Sequence, residues 1–152
     1  MTIRWLLAAI HLLALGIGLG AVWVRGSTLR GTLDKDALRS VFLADTYWGV
    51  AAALWIVTGL LRAFAGYEKG TTYYIHNGAF LLKMALLIII LALEVWPMIT
   101  LIRWRVQVGR NEVPDTTPAA AIARTSWVQA VLVILMVLAA TAMARSLGGQ
   151  VW

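Results

Sequence analysis

Residues 73–103, YYIHNGAFLLKMALLIIILALEVWPMITLIR, form one nearly unbroken apolar run. About 20 apolar residues in a helix cross the hydrocarbon core of a bilayer, so this run is long enough to span it. Yet it carries His76, Lys83 and Glu94, spaced 7 and 11 residues apart. At roughly 100° per residue, 18 residues complete five helical turns. On a single helix the three therefore share one stripe. Ionisable groups within a membrane span face the protein interior and mark a functional site by default.

Three more apolar runs flank this one, and short polar segments separate them. The spacing predicts helices over 3–24, 34–64, 73–103 and 120–146, in one transmembrane domain covering 1–152. The expected fold class is all-α, an integral membrane four-helix bundle. Composition agrees: 61% of residues are hydrophobic and 13% charged, against roughly 25% charged in a soluble domain. There is no cysteine, which excludes disulfides, iron–sulfur clusters and thiolate metal sites. The net charge of +6 comes from basic residues at the ends of apolar runs. There they orient the chain and meet lipid headgroups rather than nucleic acid.

The first run, Ile3–Val24, is too long for a signal-peptide core and reads as a spanning helix. Gly16 and Gly20 within it form a small-xxx-small pair suited to close helix packing. Gly26 and Gly31 read as breaks in the polar connector, and Asp34 and Asp36 suit the first turn of the second helix. Asp45, Gly49, Ala52, Ile56, Gly59 and Ala63 then share a narrow, small-residue face. That face fits a tight helix seam or room for a flat cofactor. Thr71 or Thr72 is the expected N-cap of helix 3, and Pro97 the expected site of a kink. Gln129, Met136 and Met143 share one face of helix 4.

Eight Lys and Arg residues border the first and third loops, against four at the termini and second loop. The positive-inside rule then puts both termini outside the cytoplasm. Trp23, Trp48, Trp96, Trp104 and Trp127 cluster toward the cytoplasmic interface, and Trp5, Tyr67, Tyr73 and Tyr74 mark the outer one.

Depth divides the ionisable residues into two groups. At 1.5 Å per residue, His11 lies roughly 13 Å into the membrane from the outer side, His76 roughly 6 Å and Lys83 roughly 16 Å. Asp45 and Glu94 fall near the opposite face. Asp45 is expected to cap its helix or pair with Arg39 or Arg103, and Glu94 to snorkel. Histidine holds haem iron through a ring nitrogen. His11 is thus a candidate axial ligand, with His76 or Lys83 as a second. Lys83 is equally a candidate partner for a propionate. Arg62, Tyr73, Tyr74 and Asn77 are candidates to meet a cofactor near the surface. No metalloprotease, P-loop or nucleophile-elbow motif occurs.

His11, DTYWG at 45–49, GLLR at 59–62, KGTTYY at 69–74 and NGAFLLK at 77–83 carry a resemblance. The chain resembles an uncharacterised family of small bacterial inner-membrane proteins with four predicted helices. More distantly it is similar to the membrane protoporphyrinogen oxidases and the copper-resistance D membrane proteins. In the oxidases a first-helix histidine and a later membrane lysine are associated with bound haem b, and His11 and Lys83 stand at the corresponding places. The wider oxidase pattern is not matched, so the resemblance implies haem binding and leaves the reaction open.

The leading expectation is a haem b protein of the bacterial inner membrane, serving electron transfer or porphyrin oxidation. A proton, ion or small-solute transporter and a non-catalytic assembly partner are the alternatives. Whether the chain is an enzyme at all stays open, with an oxidoreductase as the class implied. Expected partners are the lipid bilayer, haem or a porphyrin, and a redox partner. Homo-oligomerisation stays open.

Overall fold

The structure, a computed structural model, describes residues 2–65 and 76–145. Its regular elements are four helices: α1 (Thr2–Thr28), α2 (Lys35–Phe64), α3 (Gly78–Gly109) and α4 (Ala119–Ala144). All four are long and apolar enough to cross a membrane. Leu13, Ile88, Val131, Leu138 and many similar side chains lie exposed on the outside of the bundle. In water that surface would be unfavourable, whereas hydrocarbon solvates it as well as the core does.

The helices form a ring in chain order. α1 packs most extensively on α2, α4 packs on both α1 and α3, and α2 and α3 barely touch. One buried cluster, including Val22, Trp48, Ile90, Val133 and Met136, fills the middle. A second, including Val41, Leu101, Trp104 and Ile122, closes the end that carries the α1–α2 and α3–α4 loops. A small third cluster, Ala63 and Phe80 with Met84 and Met143, lies toward the end where the chain begins.

α1 runs past the expected stop at Val24 to Thr28, which takes Arg25 into the helix. Gly26 is not a break. A Cβ there would lie 3.2 Å from both Ser126 Cβ and Trp127 Nε1, so this glycine lets α1 and α4 approach. Gly16 and Gly20 are exposed and do not pack: a Cβ at either meets nothing within 4 Å. Gly18, between them, makes the close approach, at 3.4 Å from Ala51 Cβ. Two residues are about 200° of helix, so the intervening glycine points the other way.

α2 is capped by Asp34, whose Oδ1 accepts the Ala37 backbone N–H at 2.8 Å. α3 starts at Gly78, later than 73, because Asn77 is its N-cap. The Asn77 side-chain oxygen accepts the Phe80 N–H at 3.1 Å. Thr71, Thr72, Tyr67, Tyr73 and Tyr74 lie outside the described residues. Pro97 is buried inside α3, where its missing N–H leaves the carbonyl one turn earlier without its helical donor. α3 ends at Gly109, and Asn111 follows at φ 60°, a left-handed conformation that asparagine tolerates better than most residues. Of the expected tryptophan belt, Trp23 and Trp96 are exposed, but Trp48 and Trp104 are core residues.

Candidate functional site

Two polar centres occupy opposite halves of the bundle. The half nearer the start of α1 holds a cavity of about 320 Å³ that draws walls from all four helices. His11, Trp55, Arg62, Lys83, Met136 and Met143 are among its lining residues. His11 is buried at 8% exposure. Its ring stacks on Trp55, with centroids 5.4 Å apart. Gly59 sits beneath it: a Cβ there would approach His11 Cε1 to 3.2 Å, so a larger residue would make the ring shift by a few tenths of an ångström.

Thr58 holds one nitrogen of that ring. The Thr58 hydroxyl donates to the Leu54 carbonyl at 2.7 Å. Its proton is therefore spent, and it meets His11 Nδ1 at 2.9 Å as an acceptor. The tautomer with hydrogen on Nδ1 satisfies this arrangement, and it places the lone pair of the neutral imidazole on Nε2. A metal-binding histidine is oriented in this way, its second nitrogen donating to an outer oxygen. Lys83 is half-buried, with Nζ 5.9 Å from the Trp55 ring centroid.

The opposite half is built on Arg25, which is wholly buried. Its Nε donates to Ser126 Oγ at 3.0 Å. Nη1 donates to Asp45 Oδ1 at 3.0 Å and Glu94 Oε1 at 2.7 Å. Nη2 donates to Glu94 Oε2 and Gln129 Oε1, both at 2.8 Å. All five guanidinium N–H groups are thus used. Gln129 Nε2 returns a hydrogen bond to Glu94 at 2.8 Å. Arg105 holds the other Asp45 oxygen at 2.9 Å and the Phe42 carbonyl at 2.6 Å. Two cations and two carboxylates make the group neutral, the condition under which buried charge is tolerated.

The structure brings His11, Lys83 and Arg62 to one cavity, and Asp45 and Glu94 to one ion-pair network. His76 lies in the turn before α3, off the helical stripe it was expected to share with Lys83 and Glu94. It does not line the His11 cavity. Asn77 is occupied as a helix cap. Tyr73 and Tyr74 fall outside the described residues. Asp45 pairs with Arg25 and Arg105 rather than Arg39 or Arg103, both of which are exposed. Glu94 does not snorkel, because Arg25 meets it inside the bundle. Arg25, Thr58, Ser126 and the pairing role of Gln129 were missed. Two carboxylates at one depth demand a cation, and Arg25 at the end of the first apolar run was the available signal.

Among the described residues no cluster of three metal-ligating side chains occurs. A cage made of protein ligands alone has no support there, whereas a macrocycle that brings its own donors needs only one or two axial side chains. No curated protein and no solved structure matches the chain, so the similarity to oxidases and copper-resistance proteins gains no support from them. A family model does match, over residues 3–148. With four spans and nearly its whole length matched, the chain belongs to the family described as "Predicted membrane protein (DUF2214)".

Proposed function

We propose that the cavity around His11 binds haem b, with His11 Nε2 as axial ligand. The observation that carries this reading is the contact of His11 Nδ1 with the Thr58 hydroxyl, which suits a ring that donates from Nδ1 and keeps its electron pair on Nε2. Arg62 and Lys83 supply positive charge at the same cavity, suited to carboxylates such as propionates. Lys83 is also the side chain in reach of the role of second ligand. Trp55, Phe80, Met136 and Met143 supply apolar walls. The cavity of about 320 Å³ is at the lower end of ligand pockets, about 300–1,000 Å³. When bound, haem supplies one-electron chemistry whose potential follows its axial ligands and burial. Electron transfer and porphyrin oxidation are both within that chemistry.

The transport reading has less behind it. Leu86, Leu87 and Ile90 of α3 lie between Lys83 and Glu94 and belong to or pack on the central apolar cluster. The charges beyond them are already paired. The positive-inside bias supports a bacterial inner-membrane orientation with both termini outside the cytoplasm. It weakens slightly because Arg25 lies in the bundle, not in a loop.

The test is the absorption spectrum of the detergent-purified protein from haem-replete cells. A Soret band is expected in the wild type and its loss in His11→Ala. Thr58→Val should shift the band or the midpoint potential while retaining haem. A colourless wild-type preparation that takes up no haem on reconstitution would sink the proposal.

A further inference from the structure

The gap between α2 and α3 forms a second cavity, of about 330 Å³, with a different chemistry from the first. Its walls are almost entirely apolar, and Asp45 and Glu94 provide its charged groups. Gly49, Ala53, Leu91 and Met98 line it and are also exposed on the outside of the bundle. The cavity is therefore a cleft that opens sideways, toward where lipid lies. From Asp45 to Trp55 it follows α2 for ten residues, about 15 Å at 1.5 Å per residue.

The polar end dictates what the cleft accepts. Asp45 and Glu94 keep part of their side chains exposed, 12% and 15%. Each carboxylate has about four lone-pair sites, and Arg25, Arg105 and Gln129 do not fill them all. Carboxylates only accept, so an occupant must donate a hydrogen. It must also be neutral. The network already balances two cations against two anions, so a charged head would enter low dielectric without a counter-ion. A phosphate would face two carboxylates.

Shape narrows the class further. Gly49 and Ala52 leave the α2 wall low, and Trp48 and Trp55 add aromatic lining. A flat head fits there, and the sideways opening suits a ligand that arrives from the bilayer with an apolar tail. We infer that this cleft binds a lipid-soluble hydroquinone. A ring hydroxyl donates to Asp45 or Glu94, and the tail leaves between α2 and α3. The quinone form has no hydroxyl to donate, so the site favours the reduced form. His11 does not line this cleft, although Leu15 and Trp55 line both cavities.

Calorimetry on the detergent-purified full chain tests it, with a decyl-substituted benzoquinol, its quinone and decylbenzene as probes. Replacing Asp45 or Glu94 would also release Arg25, so the variant is Gly49→Leu. A Cβ at Gly49 meets nothing within 4 Å, so the larger side chain enters the cleft without a clash at its root. The quinol is expected to bind about tenfold or more tighter than the quinone or decylbenzene, and Gly49→Leu to weaken it by about tenfold at an unchanged melting temperature. The quinol titration is run on the wild type with its Soret absorbance recorded separately, so quinol binding and haem binding succeed or fail independently. Equal affinity for quinol and decylbenzene would overturn the inference in favour of a slot for acyl chains. Undiminished quinol binding in Gly49→Leu would equally overturn it.

Discussion

Arg25 donates from all three of its guanidinium nitrogens to acceptors on α2, α3 and α4. Removing it leaves Asp45 only Arg105 and Glu94 only Gln129 inside the bundle. Breaking a buried pair by deleting one partner costs about 3–5 kcal/mol. Arg25→Met is therefore expected to lose about that much, measured by reversible unfolding in mixed micelles. Arg25→Lys should recover only part, because an ammonium lacks the planar fork that meets both oxygens of Glu94. In the α3–α4 loop, Asp115 accepts from the Thr117 hydroxyl at 2.5 Å and from its backbone N–H at 3.0 Å. Both bonds favour the charged carboxylate and hold its pKa below the ordinary 3.8. A depressed carboxylate pKa gives stability that is present above the unfolded value and lost as pH falls through the folded one. Carbon NMR titration should place the Asp115 midpoint below 3.8, and Thr117→Val should move it back toward that value. Single residues were the hardest scale to read from sequence. A basic residue at the end of an apolar run is an interface anchor or a buried partner. Only the approach of α4 at Gly26 decides for Arg25.

At the scale of the helix, periodicity was legible and phase was not. The apolar runs located all four helices, and of the face shared by Gln129, Met136 and Met143 the first two are buried and Met143 is half-buried. The partner of Asp45 turned on whether Arg103 or Arg105 faces α2. Those residues differ by about 200° of rotation, which no run of apolar residues fixes. The start of α3 went wrong for a local reason. Threonine and asparagine both cap helices, and asparagine at 77 is the one whose side chain closes on the first turn. His76 fell off the stripe as a result. Helix α2 supplies a direct test of capping. Asp34→Ala removes the acceptor for the Ala37 N–H and is expected to cost about 1 kcal/mol, read from the same micellar unfolding curves. Asp34→Asn should cost less, since asparagine caps nearly as well.

For the molecule as a whole, segregation of charge gave the architecture. Long apolar runs with polar groups confined to connectors leave a bundle of spans as the economical solution. The two polar centres were anticipated from depth alone, because distance along a helix is proportional to residue number. Their contents were not, since His11 meets Thr58 and Arg25 meets Ser126 across helices that sequence does not order around the ring. The uneven ring has its own signature. α2 and α3 barely touch, so crosslinks between cysteines introduced at positions 53 and 91 should form slowly, and faster between α1 and α2 at 18 and 51. Equal rates would mean that the gap closes in the membrane.

The Arg25 centre also sets an order of events during synthesis. A chain is inserted from its N-terminus, so Arg25 enters with the first span. Its first carboxylate, Asp45, arrives with the second and Glu94 with the third. Ser126 and Gln129 come last of all. An arginine without partners costs roughly 2.5–3.5 kcal/mol at the centre of a span and less near its end, where Arg25 stands. The one-span intermediate thus leaves Arg25 without a carboxylate, the two-span one pairs it with Asp45 alone, and its last acceptors come with α4. Quality-control proteases have a clear mark for truncated chains: a guanidinium still waiting for its acceptors.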